Sequence, residues 1–122
     1  MDKKIIQKNG SDIAVVFSDT PIITDTPSAL DLMMTIQHYD NTDKLAINKE
    51  AITDDFFTLS TGIAGEILQK FINYSVKIAI FGDFSQYTSK ALKDFIYECN
   101  CGNNIFFADD EGSAINKLAN TR

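Results

Sequence analysis

The segment from Val76 to Ser89, VKIAIFGDFSQYTS, constrains the fold of this chain more than any other. Its mostly apolar run ends at Phe81 and is followed at once by Gly82 and Asp83, and a pattern with helical spacing begins a few residues later. A short apolar run without alternation is typical of a strand buried on both faces of a parallel sheet. The segment therefore predicts a buried central strand, a polar turn and a helix start. In open α/β sheets, ligands usually bind at that end of the strands.

Patterns on either side of this segment predict the element order β-β-α-β-α-β-α-β-α. Asn9-Gly10 predicts a two-residue turn between strands over 4–8 and 12–17, because both residues tolerate a positive φ. Further short apolar strands are expected over 45–47 and 105–108. This order predicts an α/β fold with a mostly parallel sheet, right-handed crossovers, an N-terminal antiparallel hairpin and helices packed on the sheet.

Capping signals predict the helix ends. Thr26 is expected to cap the first helix, with Pro27 in its first turn, and this helix should run to about Tyr39. Gly102 is expected to end the third helix as a left-handed cap. The last helix is expected over residues 110–119.

The second helix is expected to end at Tyr74, and its start is ambiguous. Gly62 and Gly65 are poor helix formers, each costing about 1 kcal/mol relative to alanine. Two interpretations follow. Either the regular helix starts near Ser60, or the two small residues permit close approach to a neighbouring element.

The length and composition predict one α/β domain over residues 1–122. The chain is 44% hydrophobic and 23% charged, which is ordinary for a globular protein. It has no apolar run near the ~20 residues that cross a bilayer, and MDKKIIQKNG lacks the apolar segment of a secretory signal. We therefore expect a cytoplasmic protein with no membrane partner.

The charge of the chain argues against nucleic-acid binding. The formal net charge is −6, and the lysines are scattered along the sequence. A protein that binds nucleic acid without sequence preference needs a basic surface that displaces counterions from the phosphates. We therefore expect no nucleic-acid partner.

The cysteine and histidine content argues against a metal centre. Cys99 and Cys101 are the only two cysteines, and His38 is the single histidine. A disulfide between residues two apart is strained, and a zinc site needs more nitrogen or sulfur ligands than these. We expect two free thiols, a surface histidine at the end of the first helix, and no metal.

Polar residues follow three of the expected parallel strands, and the carboxyl ends of such strands share one edge of the sheet. The start of the third helix is expected at this edge, and the free N–H groups of a helix N-terminus bind anions. Together with the hydroxyl groups and a lysine there, it predicts a site for a phosphate or carboxylate. The simpler alternative is that Asp83 or Ser85 caps the third helix and that Lys49 pairs with Glu50 or Asp83. The candidate ligand-binding residues are Asn48, Lys49, Glu50, Gly82, Asp83, Ser85, Ser89 and Lys90, and Asp109 is expected on the same rim.

A second candidate lies near the start of the second helix. Ser60 and Thr61 place two hydroxyl groups beside Gly62, after two phenylalanines. An ordinary helix cap is the simpler interpretation. The alternative is a regulated hydroxyl group at Ser60.

These observations predict a binding or regulatory module without catalytic residues or a cofactor. Its partner would be a small anionic ligand or another protein. The alternative is a small enzyme that uses Lys49, Glu50 and Asp83 as acid–base groups. Nine phenylalanines and four tyrosines also suggest a homodimer, because exposed aromatic residues mark interfaces.

Three long segments, INKEAI, FFTLSTGIAGEILQKF and GDFSQYTSKALKDFI, carry a family resemblance. They resemble the bacterial family known as domain of unknown function 4180. The resemblance extends from ITDTPSALDL to IFFADDEGSAINKL, and so covers nearly the whole chain. It implies no particular activity.

The order of elements, with STGIA before a helix, is also similar to the STAS domains of anti-sigma-factor antagonists. That resemblance implies a STAS-like fold in which phosphorylation of Ser60 controls partner binding. Two positions depart from the STAS pattern: Leu59 stands where an aspartate is common, and Thr61 replaces a second serine.

Overall fold

Five strands form one sheet in the order β1-β2-β3-β4-β5. The computed structural model describes residues 1–121. The strands are β1 (Asp2–Lys8), β2 (Ser11–Phe17), β3 (Lys44–Asn48), β4 (Lys77–Phe81) and β5 (Ile105–Ala108). The α-helices are α1 (Thr26–His38), α2 (Ile63–Asn73), α3 (Lys90–Cys101) and α4 (Glu111–Ala119), and short 3-10 helices lie at Lys49–Ala51, Asp54–Phe57 and Leu59–Thr61.

The predicted fold class is confirmed. β1 and β2 pair antiparallel, and every later neighbour in the sheet pairs parallel. Asn9 and Gly10 have φ values of 54° and 78°, which is the conformation that the hairpin turn requires. One detail of the prediction was wrong: the middle strand is β3, and β4 lies between β3 and β5. Hydrophobic periodicity reports burial and carries no information about strand order.

The two faces of the sheet bury different sets of side chains. Alternate residues of each strand point to opposite faces, so the neighbours Leu45 and Ala46 belong to separate apolar clusters. The face of Leu45 packs against α1, α2 and α3. The opposite face packs against α4, and Ala46 and Ala79 belong to that cluster.

The first helix is capped by Asp25, so the prediction of Thr26 was wrong by one residue. Asp25 is extended, with a φ of −160°, and its carboxylate accepts a hydrogen bond of 2.9 Å from the Ser28 N–H. The Ser28 hydroxyl accepts a return bond from the Asp25 N–H, which completes a capping box. Hydrogen bonds from the Ser28 backbone and side chain hold the pKa of Asp25 below its usual value.

The second helix begins at Ile63, later than the predicted start near Ser60. Gly62 precedes it with a φ of 78°, a left-handed conformation in which a side chain would be strained. The alternative of close approach was also wrong, because a Cβ at Gly62 or Gly65 would meet no atom within 4 Å. Backbone geometry at Gly62 therefore explains the first of the two glycines.

The third helix ends at Cys101 without a left-handed cap. Gly102 has a φ of −89°, so the predicted conformation was wrong, although the helix does end there. The Gly102 N–H still bonds to the Cys99 carbonyl at 3.0 Å. Within residues 1–121, no helix has the length and apolar character that crossing a bilayer requires.

Candidate functional site

The carboxyl ends of β3, β4 and β5 lie side by side. Asn48 is in register with Phe81, and Phe81 is in register with Ala108. The alignment continues one residue further, since the Gly82 N–H donates to the Ala108 carbonyl at 3.0 Å. The polar residues that follow these strands therefore start from one edge of the sheet. We call Asn48, Lys49, Glu50, Asp83 and Ser85 the inner rim.

Asn48 ties the end of β3 to the end of β2. Its side chain is 2% exposed, accepts the Ser18 N–H at 3.0 Å and donates to the Ser18 carbonyl at 2.8 Å. Its amide nitrogen also lies 3.3 Å from a Glu50 carboxylate oxygen. The polar atoms of Asn48 are thus occupied by the protein itself, which indicates a structural role.

Lys49 packs its aliphatic stem over Gly82. A Cβ at Gly82 would lie 2.8 Å from the Lys49 Cγ, and Gly82 has a φ of 153°. The Lys49 side chain is 11% exposed, and its Nζ lies 3.1 Å from Oε2 of Glu50 and 5.6 Å from the centre of the Tyr87 ring. The glycine is required by both the backbone conformation and the lysine stem.

The interaction of Lys49 with Glu50 favours the charged form of both residues. Burial opposes the charge of Lys49, but the hydrogen bond that Lys49 donates to Glu50 and the coulombic interactions with Tyr87, Glu50 and Asp83 outweigh it and raise the pKa of Lys49. Burial also opposes the charge of Glu50, but hydrogen bonds from its own backbone, Lys49 and Asn48, together with the Lys49 charge, lower the Glu50 pKa. Both residues are therefore ionised at neutral pH.

Asp83 and Ser85 are joined by two hydrogen bonds. The Asp83 carboxylate accepts the Ser85 N–H at 2.9 Å and the Ser85 hydroxyl at 2.6 Å. The bonds from Ser85, side chain first and backbone second, together with the Lys49 charge, lower the pKa of Asp83. Neither residue caps α3, so that part of the sequence interpretation was wrong.

The cap of α3 is Ser89, whose hydroxyl accepts the Leu92 N–H at 3.2 Å. Lys90 points to solvent and pairs with Asp94 at 2.6 Å. No acceptor in residues 1–121 receives a hydrogen bond from the N–H of Lys90 or Ala91. The start of α3 therefore presents two free N–H groups.

On the β5 side of the edge, the two aspartates have separate positions. Asp109 is exposed, and Asp110 caps α4 by accepting the Ser113 N–H at 2.8 Å. Hydrogen bonds from the Ser113 backbone and side chain lower the pKa of Asp110. Asp110 is thus committed to the helix on the opposite face of the sheet.

A groove next to the inner rim brings together two regions that the sequence analysis treated separately. It encloses about 420 Å3 between the segment after the third strand and the start of α3. Its aromatic side is formed by Phe57 and Tyr87, whose rings stack with their centres 5.3 Å apart. The groove, as we use the term below, is lined by Phe57, Thr58, Leu59, Ser60, Gln86, Tyr87, Thr88, Ser89, Ala91 and Leu92.

The candidate residues are therefore divided between two places. Ser60 and Ser89 line the groove, and the Lys49 ammonium group reaches its Tyr87 side. Sequence reasoning missed Phe57, Gln86 and Tyr87 as site residues. The available signal was the sequence QYTS directly before a helix, where an aromatic ring and hydroxyl groups follow a strand end.

No cluster of three or more metal-binding side chains occurs in the part of the chain that the structure describes. Cys99 and Cys101 are free thiols. Burial, and to a smaller extent the charge of Glu98, raises the pKa of Cys99 to about 11, so this thiol is protonated at neutral pH.

Comparison with known families identifies the chain over most of its length. A family model described as a domain of unknown function (DUF4180) matches residues 8–118. The chain belongs to the DUF4180 family. The match includes both the inner rim and the groove, so both are parts of the DUF4180 domain. No curated protein and no solved structure matches the chain.

Proposed function

We propose that this DUF4180 chain is a non-catalytic binding module whose groove receives a small anionic ligand with an apolar part. The observation that carries the proposal is that Phe57 and Tyr87, whose rings stack, line one groove together with Ala91, which has a free N–H at the start of α3. The volume of about 420 Å3 lies within the range of small-molecule sites.

Charge and polarity in the groove favour an anion. The N-terminus of a helix carries a partial positive charge, and its free N–H groups point at whatever lies beyond it. Ser60, Thr88 and Ser89 add hydroxyl groups, and the Lys49 ammonium group lies 5.6 Å from the centre of the Tyr87 ring. The partly exposed Tyr87 ring, which stacks on the buried Phe57 ring, would bind the apolar part of the ligand.

The inner rim supports a role without catalysis. An acid–base enzyme needs a group that exchanges protons near neutral pH. Lys49 and Glu50 form an ion pair with pKa values displaced away from neutrality, and Asp83 is bound by Ser85. These three residues therefore suit a structural role better than the acid–base roles of the enzyme alternative.

A cytoplasmic location is part of the same proposal. Its support is the presence of two free thiols, Cys99 and Cys101, since secreted proteins usually hold their cysteines in disulfides.

Calorimetry with phenyl phosphate tests the binding function, with inorganic phosphate and phenol as the anion and ring probes. Phenyl phosphate should bind more tightly than either part. Gln86→Glu adds a negative charge in the groove and should weaken binding about tenfold, or about 1.4 kcal/mol. Gln69→Glu adds the same charge on α2, outside the groove, and should leave the affinity unchanged. Equal affinities for the two variants, or no binding of any probe, would contradict the proposal.

A phosphorylation switch at Ser60 is the second candidate function. Ser60 is exposed on the wall of the groove, where a modifying enzyme can reach it. A phosphate there would add about −1.5 to −2 charges and would compete with an anionic ligand or change a partner surface. Mass spectrometry of the protein from its native host checks this. An unmodified Ser60 under all growth conditions, with a normal phenotype for Ser60→Ala, would exclude the switch.

A further inference from the structure

The two edges of the sheet are protected differently. At the β5 edge, α3 packs against the strand and the Asn100 side chain accepts the Phe107 N–H at 2.8 Å. At the other edge, no strand of residues 1–121 pairs with the outer side of β1. β1 is seven residues long, and Ile5 in its middle is 42% exposed. An open edge of this length can pair with another strand.

The hairpin register identifies which main-chain groups of β1 point outward. Lys8 and Ser11 flank a two-residue turn and therefore form a hydrogen-bonded pair. Hydrogen-bonded and non-hydrogen-bonded pairs alternate along an antiparallel ladder. Even-numbered residues of β1 thus bond to β2, whereas the N–H and C=O groups of Lys3, Ile5 and Gln7 point away from the sheet.

We propose that β1 pairs antiparallel with β1 of a second copy of this chain about a two-fold axis at Ile5. The two five-stranded sheets then form one continuous sheet. In this register Ile5 pairs with Ile5 and Lys3 pairs with Gln7 of the second copy. All three outward-pointing residues of each strand form hydrogen-bonded pairs.

Charge selects this register over its symmetric neighbours. An axis at Lys4 places that lysine opposite itself, and an axis at Ile6 places Lys4 opposite Lys8. Like charges directly opposite each other in a sheet are unfavourable. An axis at Ile5 places no lysine opposite another, and it sets Asp2 opposite Lys8 of the second copy.

Lysines on an edge strand often prevent edge-to-edge pairing, but those of β1 are bound to their own chain. Lys3 pairs with Asp40 at 2.8 Å, and Lys4 pairs with Glu111 at 2.9 Å. The Lys8 ammonium group bonds to the Asn116 side chain. These bonds draw the ammonium groups toward partners in their own chain, so the outward main-chain groups of β1 stay accessible. Two lysines at directly opposite positions would still bring like charges close together.

Sedimentation velocity over a concentration series tests the dimer, with matched isoleucine variants. The native chain should dimerise. Ile5→Lys places two added charges opposite each other at the axis and should raise the dissociation constant about tenfold. Ile72→Lys, at a similarly exposed isoleucine on α2, should dimerise like the native chain. A native chain that stays monomeric, or an Ile5→Lys variant that dimerises normally, would overturn the proposal.

Hydrogen exchange of the native chain gives an independent readout if Ile5→Lys fails to fold. The Lys3, Ile5 and Gln7 amides should exchange more slowly as the protein concentration rises. The amides of Lys4, Ile6 and Lys8 bond to β2 and should be protected at every concentration. Exchange at Lys3, Ile5 and Gln7 that is independent of concentration would show that the edge is not covered and would overturn the proposal.

Discussion

The inner rim and the groove lie next to each other at the carboxyl edge of the sheet, but their polar groups differ in how far they are bonded within the chain. In the inner rim, Asn48, Glu50 and Asp83 bond to residues of the same chain. In the groove, the first N–H groups of α3 have no partner within the described chain, and Ser60 is exposed. The polar residues of the inner rim thus stabilise the fold. The candidate binding surface is the neighbouring groove.

The largest effect is expected at Asn48, the most buried residue of the inner rim. Asn48→Ala leaves the Ser18 N–H and carbonyl without their bonds, so it should lower the free energy of unfolding by about 3 kcal/mol. Urea denaturation measures the change. Asn73→Ala, at an exposed position on α2, is the control and should change stability by less than about 0.5 kcal/mol. If Asn48→Ala lowered the free energy of unfolding as little as the control does, the structural role of the inner rim would be contradicted.

Two glycine variants should change stability in opposite directions. Gly82→Ala forces a side chain into a left-handed conformation and against the Lys49 stem, so it should cost about 2 kcal/mol. Gly65→Ala lies in α2 with open space around it and should stabilise the protein by up to about 1 kcal/mol. Thermal denaturation compares them. Equal effects of the two variants would contradict the close packing of Lys49 on Gly82.

The assignment of the α3 cap can be tested with two serine variants. Ser89→Ala should lower stability by about 1 kcal/mol, because the Leu92 N–H loses its acceptor. Ser85→Ala removes a bond to an exposed aspartate and should cost about 0.5 kcal/mol or less. Urea denaturation of both variants distinguishes them. If Ser85→Ala lowered stability more than Ser89→Ala, the assignment of Ser89 as the cap of α3 would be contradicted.

The ion pair of Lys49 and Glu50 predicts a modest pH dependence. The pKa of Glu50 is lowered in the folded protein, so its contribution to stability is present above the unfolded pKa and is lost as the pH falls through the folded pKa. The pKa of Lys49 is raised, so its contribution is present below its usual pKa and is lost in strong alkali.

Glu50→Gln should therefore be less stable than the native chain at pH 7, by about 0.5 kcal/mol, because the Glu50 side chain is half-exposed and solvent weakens its pairing with Lys49. The difference should disappear in acid well below the folded-state pKa of Glu50, where its carboxyl group is protonated in both the folded and the unfolded chain. Denaturation at the two pH values measures it. A difference that persists unchanged in acid would show that the charge of Glu50 is not its cause.

The sequence predicted the fold well because local signals agreed with each other. Asn9-Gly10 identified the hairpin, and the apolar runs identified the strands. The errors occurred where neighbouring residues can serve equally well, as with Asp25 and Thr26 at the first cap. At Gly102, the glycine predicted a left-handed cap, but the helix ends there with an extended residue.

The groove could not be predicted, because its two walls are about thirty residues apart in sequence. The contact of Phe57 with Tyr87 depends on how the segments after β3 and β4 fold back over the sheet. Periodicity describes which side of an element is buried and does not describe how such segments meet. Of the residues predicted from the sequence, Ser60 and Ser89 line the groove, one on each wall.

An NMR titration of the 15N-labelled chain with phenyl phosphate tests most directly whether the groove, rather than the inner rim, receives an anion. We predict saturable shifts of the backbone amides of Ser60, Tyr87, Lys90 and Ala91, with little change at Glu50 and Asp83. Shifts centred on Glu50 and Asp83, or no saturable shift at any of these amides, would contradict this interpretation.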